Sequence, residues 1–228
     1  MVVAAGAVAQ DLPTPRDADV DPADRLEVLV EQIRVASSQR RSMEADFTQT
    51  KESALLQYPL ESRGVFSYQA PDKARWEYLS PDPISLVIQG EEMVTWYRDL
   101  GRAERYRVGR QSQKVIEYLG ASTSIIALLE YFTVFLHTPS DAEEPYQLKL
   151  EPRYKRIAKR IKELEIWVEP ERYLPVRIRY VEADGDVTDY RFENFRLNDD
   201  LPPELFEINL PAGMEIEDRQ LGQGRSGG

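Results

Sequence analysis

Gly64-Val65-Phe66-Ser67-Tyr68-Gln69-Ala70-Pro71-Asp72-Lys73-Ala74-Arg75-Trp76-Glu77-Tyr78 is the stretch whose reading decides the fold. Phe66 and Tyr68 alternate with Val65, Ser67 and Gln69, and Ala74, Trp76 and Tyr78 alternate with Lys73, Arg75, Glu77 and Leu79. A period of two marks a strand, because successive side chains leave it on opposite faces. Pro71-Asp72 supplies turn chemistry between the runs, so the stretch predicts a β-hairpin with one aromatic face. Downstream, strand-like runs at 84–88, 93–98 and 103–108 are separated by Pro81-Asp82-Pro83, Gln89-Gly90-Glu91 and Leu100-Gly101. The pattern resumes at 146–150, 164–168, 176–181 and 187–195, the last two joined by Ala183-Asp184-Gly185-Asp186. Short strands joined by tight turns predict an antiparallel meander. About nine to eleven strands are too many for one flat sheet, which must curl.

Ahead of the strands, Leu26, Leu29, Val30 and Ile33 recur at i, i+3, i+4 and i+7 behind Asp21-Pro22. This predicts an amphipathic helix of about four turns, capped by Asp21. Between the two strand blocks, Ile125, Ile126, Leu128, Leu129, Phe132 and Phe135 follow Ser122-Thr123-Ser124. The density and polar start of 122–136 predict a helix apolar over most of its circumference, with His137 at its end. Such a helix needs cover on several sides, and the concave face of a curled sheet offers it; Ile125, Leu128, Leu129 and Phe132 would then form a plug or lid. At the amino end, Ala7-Val8-Ala9 has the small-x-small form of a signal-peptidase site. It reads as the remnant of an export signal or as an ordinary Ala-rich start. Residues 1–20 are thus assigned to a signal remnant and disordered linker, 21–218 to one domain and 219–228 to a disordered tail. No apolar run approaches the roughly 18 residues of a membrane span.

The chain has 228 residues, with 29 Lys plus Arg against 40 Asp plus Glu for a formal charge of −11, one His and no Cys. A chain this long buries roughly 70% of the surface its unfolded form exposes, so it needs no disulfide or metal staple. The absence of Cys excludes thiol nucleophiles, Cys-type zinc sites and iron–sulfur ligation, and a lone His excludes a multi-His metal centre. No cofactor and no metal are expected. The acidic balance argues against nucleic acid, whose phosphates require a surplus of cations. Glu91-Glu92, Glu143-Glu144 and Asp199-Asp200 are adjacent pairs whose side chains diverge in a strand. Ser122-Thr123-Ser124 lacks a nucleophile elbow and reads as a cap. No catalytic residue is predicted, and the chain is not read as an enzyme.

Four segments, taken in order, carry a family resemblance: Phe47-Thr48-Gln49; Gly64-x-Phe66-x-Tyr68-x-x-Pro71-Asp72-Lys73-x-Arg75-Trp76-x-Tyr78; Val87-Ile88-x-Gly90 leading to Trp96-Tyr97; and Leu201-Pro202-x-x-Leu205-Phe206-x-Ile208-x-x-Pro211-x-Gly213. Over roughly residues 25–217 the chain resembles the periplasmic outer-membrane lipoprotein carrier family, LolA. The resemblance implies an α+β fold, mainly antiparallel β. It would be an unclosed curved half-barrel, apolar on its concave face, with an N-terminal helix and lid helices that move aside to admit acyl chains. It also implies a periplasmic monomer ferrying lipoproteins, or another lipid, from an inner-membrane ABC exporter to an outer-membrane acceptor. Related folds sense lipoproteins, so a sensing or interaction module is the alternative. Family members latch the lid with an Arg just before the Pro matching Pro71, and place a Phe shortly after. Here those positions are Ala70 and Ala74, which leaves either Arg63, Arg75 or Arg98 to substitute or a lid that is not latched in this way.

A carrier without covalent chemistry must hide its ligand in an apolar concavity, where each buried methylene is worth roughly 0.8 kcal/mol. The expected lining is Phe66, Tyr68, Trp76, Tyr78, Leu86, Ile88, Val94, Trp96, Leu164, Ile166, Ile178 and Tyr180, taken as one face; for any one of them alone, ordinary core packing is the simpler reading. Separately, Arg153, Lys155, Arg156, Lys159, Arg160 and Lys162 place six positive charges in ten residues without an acid. This run is read as a docking patch for an acidic partner or anionic lipid headgroups, or equally as a solvated face.

Overall fold

The structure, a computed structural model, describes residues 12–107 and 125–219, and for 125–127 the backbone alone. Ala7-Val8-Ala9, the cap Ser122-Thr123-Ser124 and residues 220–228 lie outside the described residues. The first helix, α1 (Arg25–Ser38), places Leu29 and Ile33 in the core. Asp21 does not cap it: its carboxylate accepts the Ala23 amide and closes a separate turn, and the helix starts three residues after Pro22. Residues 12–20, read as linker, are tied down by side chains. The Arg16 guanidinium donates to the Glu144 carbonyl at 2.5 Å and lies 4.2 Å from the Tyr146 ring centroid.

Six strands follow: β1 (Ser42–Glu52), β2 (Leu60–Gln69), β3 (Lys73–Ser80), β4 (Ile84–Gln89), β5 (Glu92–Tyr97) and β6 (Arg102–Arg107). After α2 (Ile125–Tyr131) come β7 (Phe132–His137), β8 (Tyr146–Pro152), the short α3 (Lys155–Ala158), β9 (Ile161–Val168), β10 (Pro175–Glu182), β11 (Val187–Leu197) and β12 (Ile216–Arg219). All join one 12-stranded sheet in the order β12-β6-β5-β4-β3-β2-β1-β11-β10-β9-β8-β7. Two antiparallel meanders thus meet where β1 pairs with β11, and only β12 runs parallel to its neighbour, β6. The edges β12 and β7 do not pair, so the sheet is unclosed.

Twelve strands exceed the nine to eleven expected, and the additions are β7 and β12. β7 also corrects the helix read over 122–136, which in the described residues ends at Tyr131. Phe132, Val134 and Leu136 alternate with Thr133, Phe135 and His137, so the apolar residues fit a strand as well as a helix. The free edge of β8 decides, by offering a backbone ladder. Phe132 and His137 are therefore strand residues, the latter at the end of β7.

Cross-strand register puts the large apolar residues on one face. Phe66 pairs with Trp76, which pairs with Leu86; Tyr68 pairs with Ala74, which pairs with Ile88. Ile178 pairs with Ile166, which pairs with Leu148. The sheet curls around this face: the hydroxyls of Tyr78 on β3 and Tyr190 on β11 meet at 3.2 Å although β2 and β1 lie between them. At β2 the curl needs a glycine, since a Cβ on Gly64 would lie 2.6 Å from the Phe47 ring and 2.1 Å from the Glu77 carbonyl.

Candidate functional site

The inner face changes character along the strands. At one end, where the β2–β3, β4–β5, β7–β8 and β9–β10 links lie, Ala74, Ile88, Leu148 and Val168 are fully buried. The opposite end, here the rim, carries the β1–β2, β3–β4, β5–β6, β8–β9 and β10–β11 links. A two-residue step toward the rim takes the side chain from buried to half-buried on five strands: Phe47 to Gln49, Trp76 to Tyr78, Ile88 to Leu86, Ile178 to Tyr180 and Phe192 to Tyr190. On these strands the inner face is more accessible toward the rim, while Thr188 on β11, Leu150 on β8 and Leu164 on β9 stay buried there.

The accessible zone is a belt of hydroxyls above an aromatic floor. Gln49 Nε2 donates to Tyr190 Oη at 2.6 Å, Tyr190 Oη meets Tyr78 Oη at 3.2 Å, and Tyr180 hydrogen-bonds the buried Thr188. Burial pushes the Tyr78, Tyr180 and Tyr190 phenols above the ordinary tyrosine range, Tyr190 well above, so all three stay neutral at physiological pH. Beneath them Phe47 meets Tyr78 edge-on at 4.9 Å, and Phe66 lies 4.4 Å from Trp76 and 6.3 Å from Phe192. Such a layering suits an amphiphile whose chains go inward and whose polar junction stays at the belt.

Helical cover lies over the buried part. Leu29 and Ile33 of α1 and Leu128 of α2 share the sheet's core cluster, and α1 touches both α2 and β7. Of the expected lid residues, Leu128 is buried, Leu129 is half-buried on α2, and Phe132 is wholly buried but in the sheet. The Ile125 side chain lies outside the described residues.

Ten of the twelve expected lining residues share the inner face: Phe66, Tyr68, Trp76, Tyr78, Leu86, Ile88, Leu164, Ile166, Ile178 and Tyr180. Val94 and Trp96 do not. They pair with Val87 and Ser85, so they point to the outer face, while Met93, Thr95 and Tyr97 point inward. Both faces of β5 are largely apolar in sequence, so alternation alone does not choose between them. Gln49, Thr188 and Tyr190 were missed; carrying the face from Tyr180 across the 183–186 turn by hairpin register would have reached Thr188 and Tyr190, whereas Gln49 is placed only by the pairing of β1 with β11.

On the outer face Trp96 lines a cavity of about 550 Å³ beneath the carboxy-terminal segment. The segment's 3₁₀ turn, Pro203–Phe206, packs on β3 and β4. Glu77 holds both Arg75 and Arg98 at 2.5 Å, and Arg75 Nη1 donates to the Leu205 carbonyl at 2.9 Å. Arg63 pairs with Glu61 at 2.8 Å on the sheet's exterior. None of the three arginines substitutes for a lid latch, because all are engaged away from the helices. Among the described residues no group of three or more His, Cys, Asp or Glu gathers as a metal site.

Comparison with known proteins agrees with this architecture. Residues 38–209, more than half of the chain, match the family described as Outer membrane lipoprotein carrier protein LolA. An outer-membrane lipoprotein carrier protein from Methylococcus capsulatus is 26% identical over 204 residues, covering 87% of this chain and 88% of that protein. Another from Alkalilimnicola ehrlichii is 24% identical over 180 residues, covering 77% of each. The crystal structure of MucB superposes with a TM-score of 0.50 at 13% identity, over 82% of this chain and 63% of that one, a likeness of fold alone. An unclosed, mainly antiparallel sheet with helices over an apolar inner face, a family match through the body of that sheet and carrier relatives matched over most of their length lead to one conclusion: the chain belongs to the LolA family of outer-membrane lipoprotein carrier proteins.

Proposed function

We propose that this chain is a periplasmic, non-enzymatic carrier that seats the acyl chains of a lipoprotein, or of another lipid, against its concave face and shuttles them from an inner-membrane donor to an outer-membrane acceptor. The observation that carries the reading is the gradient along the inner face, from wholly buried Ile88 and Trp76 to half-buried Leu86, Tyr78 and Tyr190 toward the rim. Chains entering at the rim would displace water from an apolar floor, and the neutral tyrosine hydroxyls would meet ester or amide groups that chains alone leave unpaired. Release would then depend on differences in affinity between successive partners rather than on chemistry at the site. Membership in the carrier family supports the role in general terms, and among the described residues no helix is long and apolar enough to cross a membrane.

The test is native mass spectrometry of protein purified from a bacterial envelope, with organic extraction, beside uptake of a fluorescent fatty-acyl probe. A released phospholipid or acylated peptide is expected. Leu86→Glu, at a half-buried position on the path inward, should weaken probe uptake about tenfold or more by burying a charge against the chain. A clean apo mass with no probe uptake would overturn the reading.

A further inference from the structure

Among the described residues the rim concentrates two kinds of exposed side chain, large hydrophobics and cations without an ion-pair partner. Leu55, Leu56, Tyr58 and Leu60 on and beside the β1–β2 link are 95%, 40%, 74% and 43% exposed. Leu79 at the end of β3, Leu100 in the β5–β6 turn and Tyr154 in the β8–β9 link are also exposed, and all stand at this same end of the sheet. Of the large exposed hydrophobics, only Phe135, midway along β7, is elsewhere among the described residues.

The basic run occupies the same rim. It is the β8–β9 link, built around α3, and it sits beside the β10–β11 turn, where the Ala183 amide donates to the Arg160 carbonyl at 2.9 Å. The β10–β11 turn in turn borders β1, since Val187 pairs with Glu52. Buried Ile157 pins the run down, which leaves Arg153, Lys155, Arg156, Lys159, Arg160 and Lys162 all exposed. Among the described residues none of the six has an ion-pair partner, whereas Lys51, Arg63 and Arg105 elsewhere in the sheet all do. Acids share the rim: Glu52, Glu61, Asp82 and Asp99 lie on its β1–β6 side and Glu182, Asp184 and Asp186 at the β10–β11 turn beside the run, while of the exposed apolar residues Tyr154 lies within the run itself and the others stand on the β1–β6 side.

From this juxtaposition we propose that the rim is a docking surface for an anionic lipid bilayer, the apolar tips entering the interface while the α3 run binds phosphate headgroups. A flat surface favours this over a folded acidic partner. The tips are protruding turns on different links rather than a groove or a patch, and a plane meets several points of a rim at once. Apolar insertion joined to cationic attraction is how peripheral proteins hold a bilayer without spanning it. The proposal rests on the carrier reading only for its benefit, which is to bring the accessible mouth of the concavity against the lipid surface.

The experiment is flotation of the purified full-length chain with vesicles of phosphatidylglycerol and phosphatidylcholine, against vesicles of phosphatidylcholine alone. Binding to the anionic vesicles that falls with added salt is expected. Lys155→Ser/Lys159→Ser/Lys162→Ser should weaken it about tenfold or more, each cation near the surface counting severalfold, and Leu55→Ser/Tyr58→Ser should weaken it severalfold. In the same vesicles Tyr58→Trp fluorescence should shift to the blue. Unchanged melting curves and unchanged acyl-probe uptake in solution show that these surface variants are folded and that the concavity is intact. No anionic-vesicle binding, or binding indifferent to both sets of substitutions, overturns the proposal, and so does a run that engages an acidic protein but no vesicle. Probe uptake scores the carrier reading separately, so failure of one is distinguishable from failure of the other.

Discussion

At position 64 the sheet has room only for a hydrogen atom. Phe47 covers Gly64 from the neighbouring strand, so Gly64→Ala must displace an aromatic ring and a strand carbonyl together. A loss of about 2 kcal/mol or more is expected from this overpacking, read from urea denaturation midpoints. The tyrosines make a second prediction. Burial raises Tyr78, Tyr180 and Tyr190, and pushes Tyr173 up to about 12. The folded chain therefore keeps these protons to higher pH than the unfolded chain, whose phenols titrate near 10.0. Stability should be insensitive to these groups below that value, and should fall as pH climbs from there through the folded values. Tyrosinate absorbance followed alongside urea midpoints checks both halves; phenols that all ionise at the ordinary value in the folded chain would contradict the burial described.

Among the elements, the carboxy-terminal segment depends on a charge cluster. Glu77 neutralises Arg75 and Arg98, and Arg75 then holds the Leu205 and Glu207 carbonyls over β3. Glu77→Ala leaves two half-buried guanidiniums unpaired, and a loss of about 2–3 kcal/mol is expected. Limited proteolysis should then cut within residues 203–209 faster than in the parent chain, while a cut elsewhere first would mean that the segment is held by Phe206 packing alone. For α1, Ile33 lies in the core at 3% exposure, so Ile33→Ala should cost about 2–4 kcal/mol. α1 was legible because Leu26, Leu29, Val30 and Ile33 recur at helical spacing. β7 was not, because its residues satisfy either period and the choice belongs to its partner, β8.

For the molecule as a whole, pairing of β1 with β11 joins the two meanders into one sheet, and one core cluster takes residues from both. Unfolding is therefore expected as a single transition, with tryptophan fluorescence and far-ultraviolet dichroism coinciding. Separate transitions would mean that the meanders fold as independent units. Among the described residues the chain also has an orientation that its net charge of −11 conceals, since the six cations of the α3 run and nearly all the exposed large apolar residues sit at one end.

Local patterning by itself determined the strands other than β7 and β12, the hairpin turns, the leading helix and the aromatic identity of one face. Each of these depends on residues a few positions apart, as with Phe66, Tyr68, Trp76 and Tyr78. Only the tertiary structure decided which face of β5 looks inward, because Val94 and Trp96 are as apolar as Met93 and Tyr97 and the choice is made by register with β4. It alone brought Gln49, Tyr78 and Tyr190 into one belt, since their hydrogen bonds span 112 and 141 residues of sequence. It alone set the basic run beside the turn that borders the β1–β2 hairpin, because a strand's direction becomes a position in space only once every neighbour has paired.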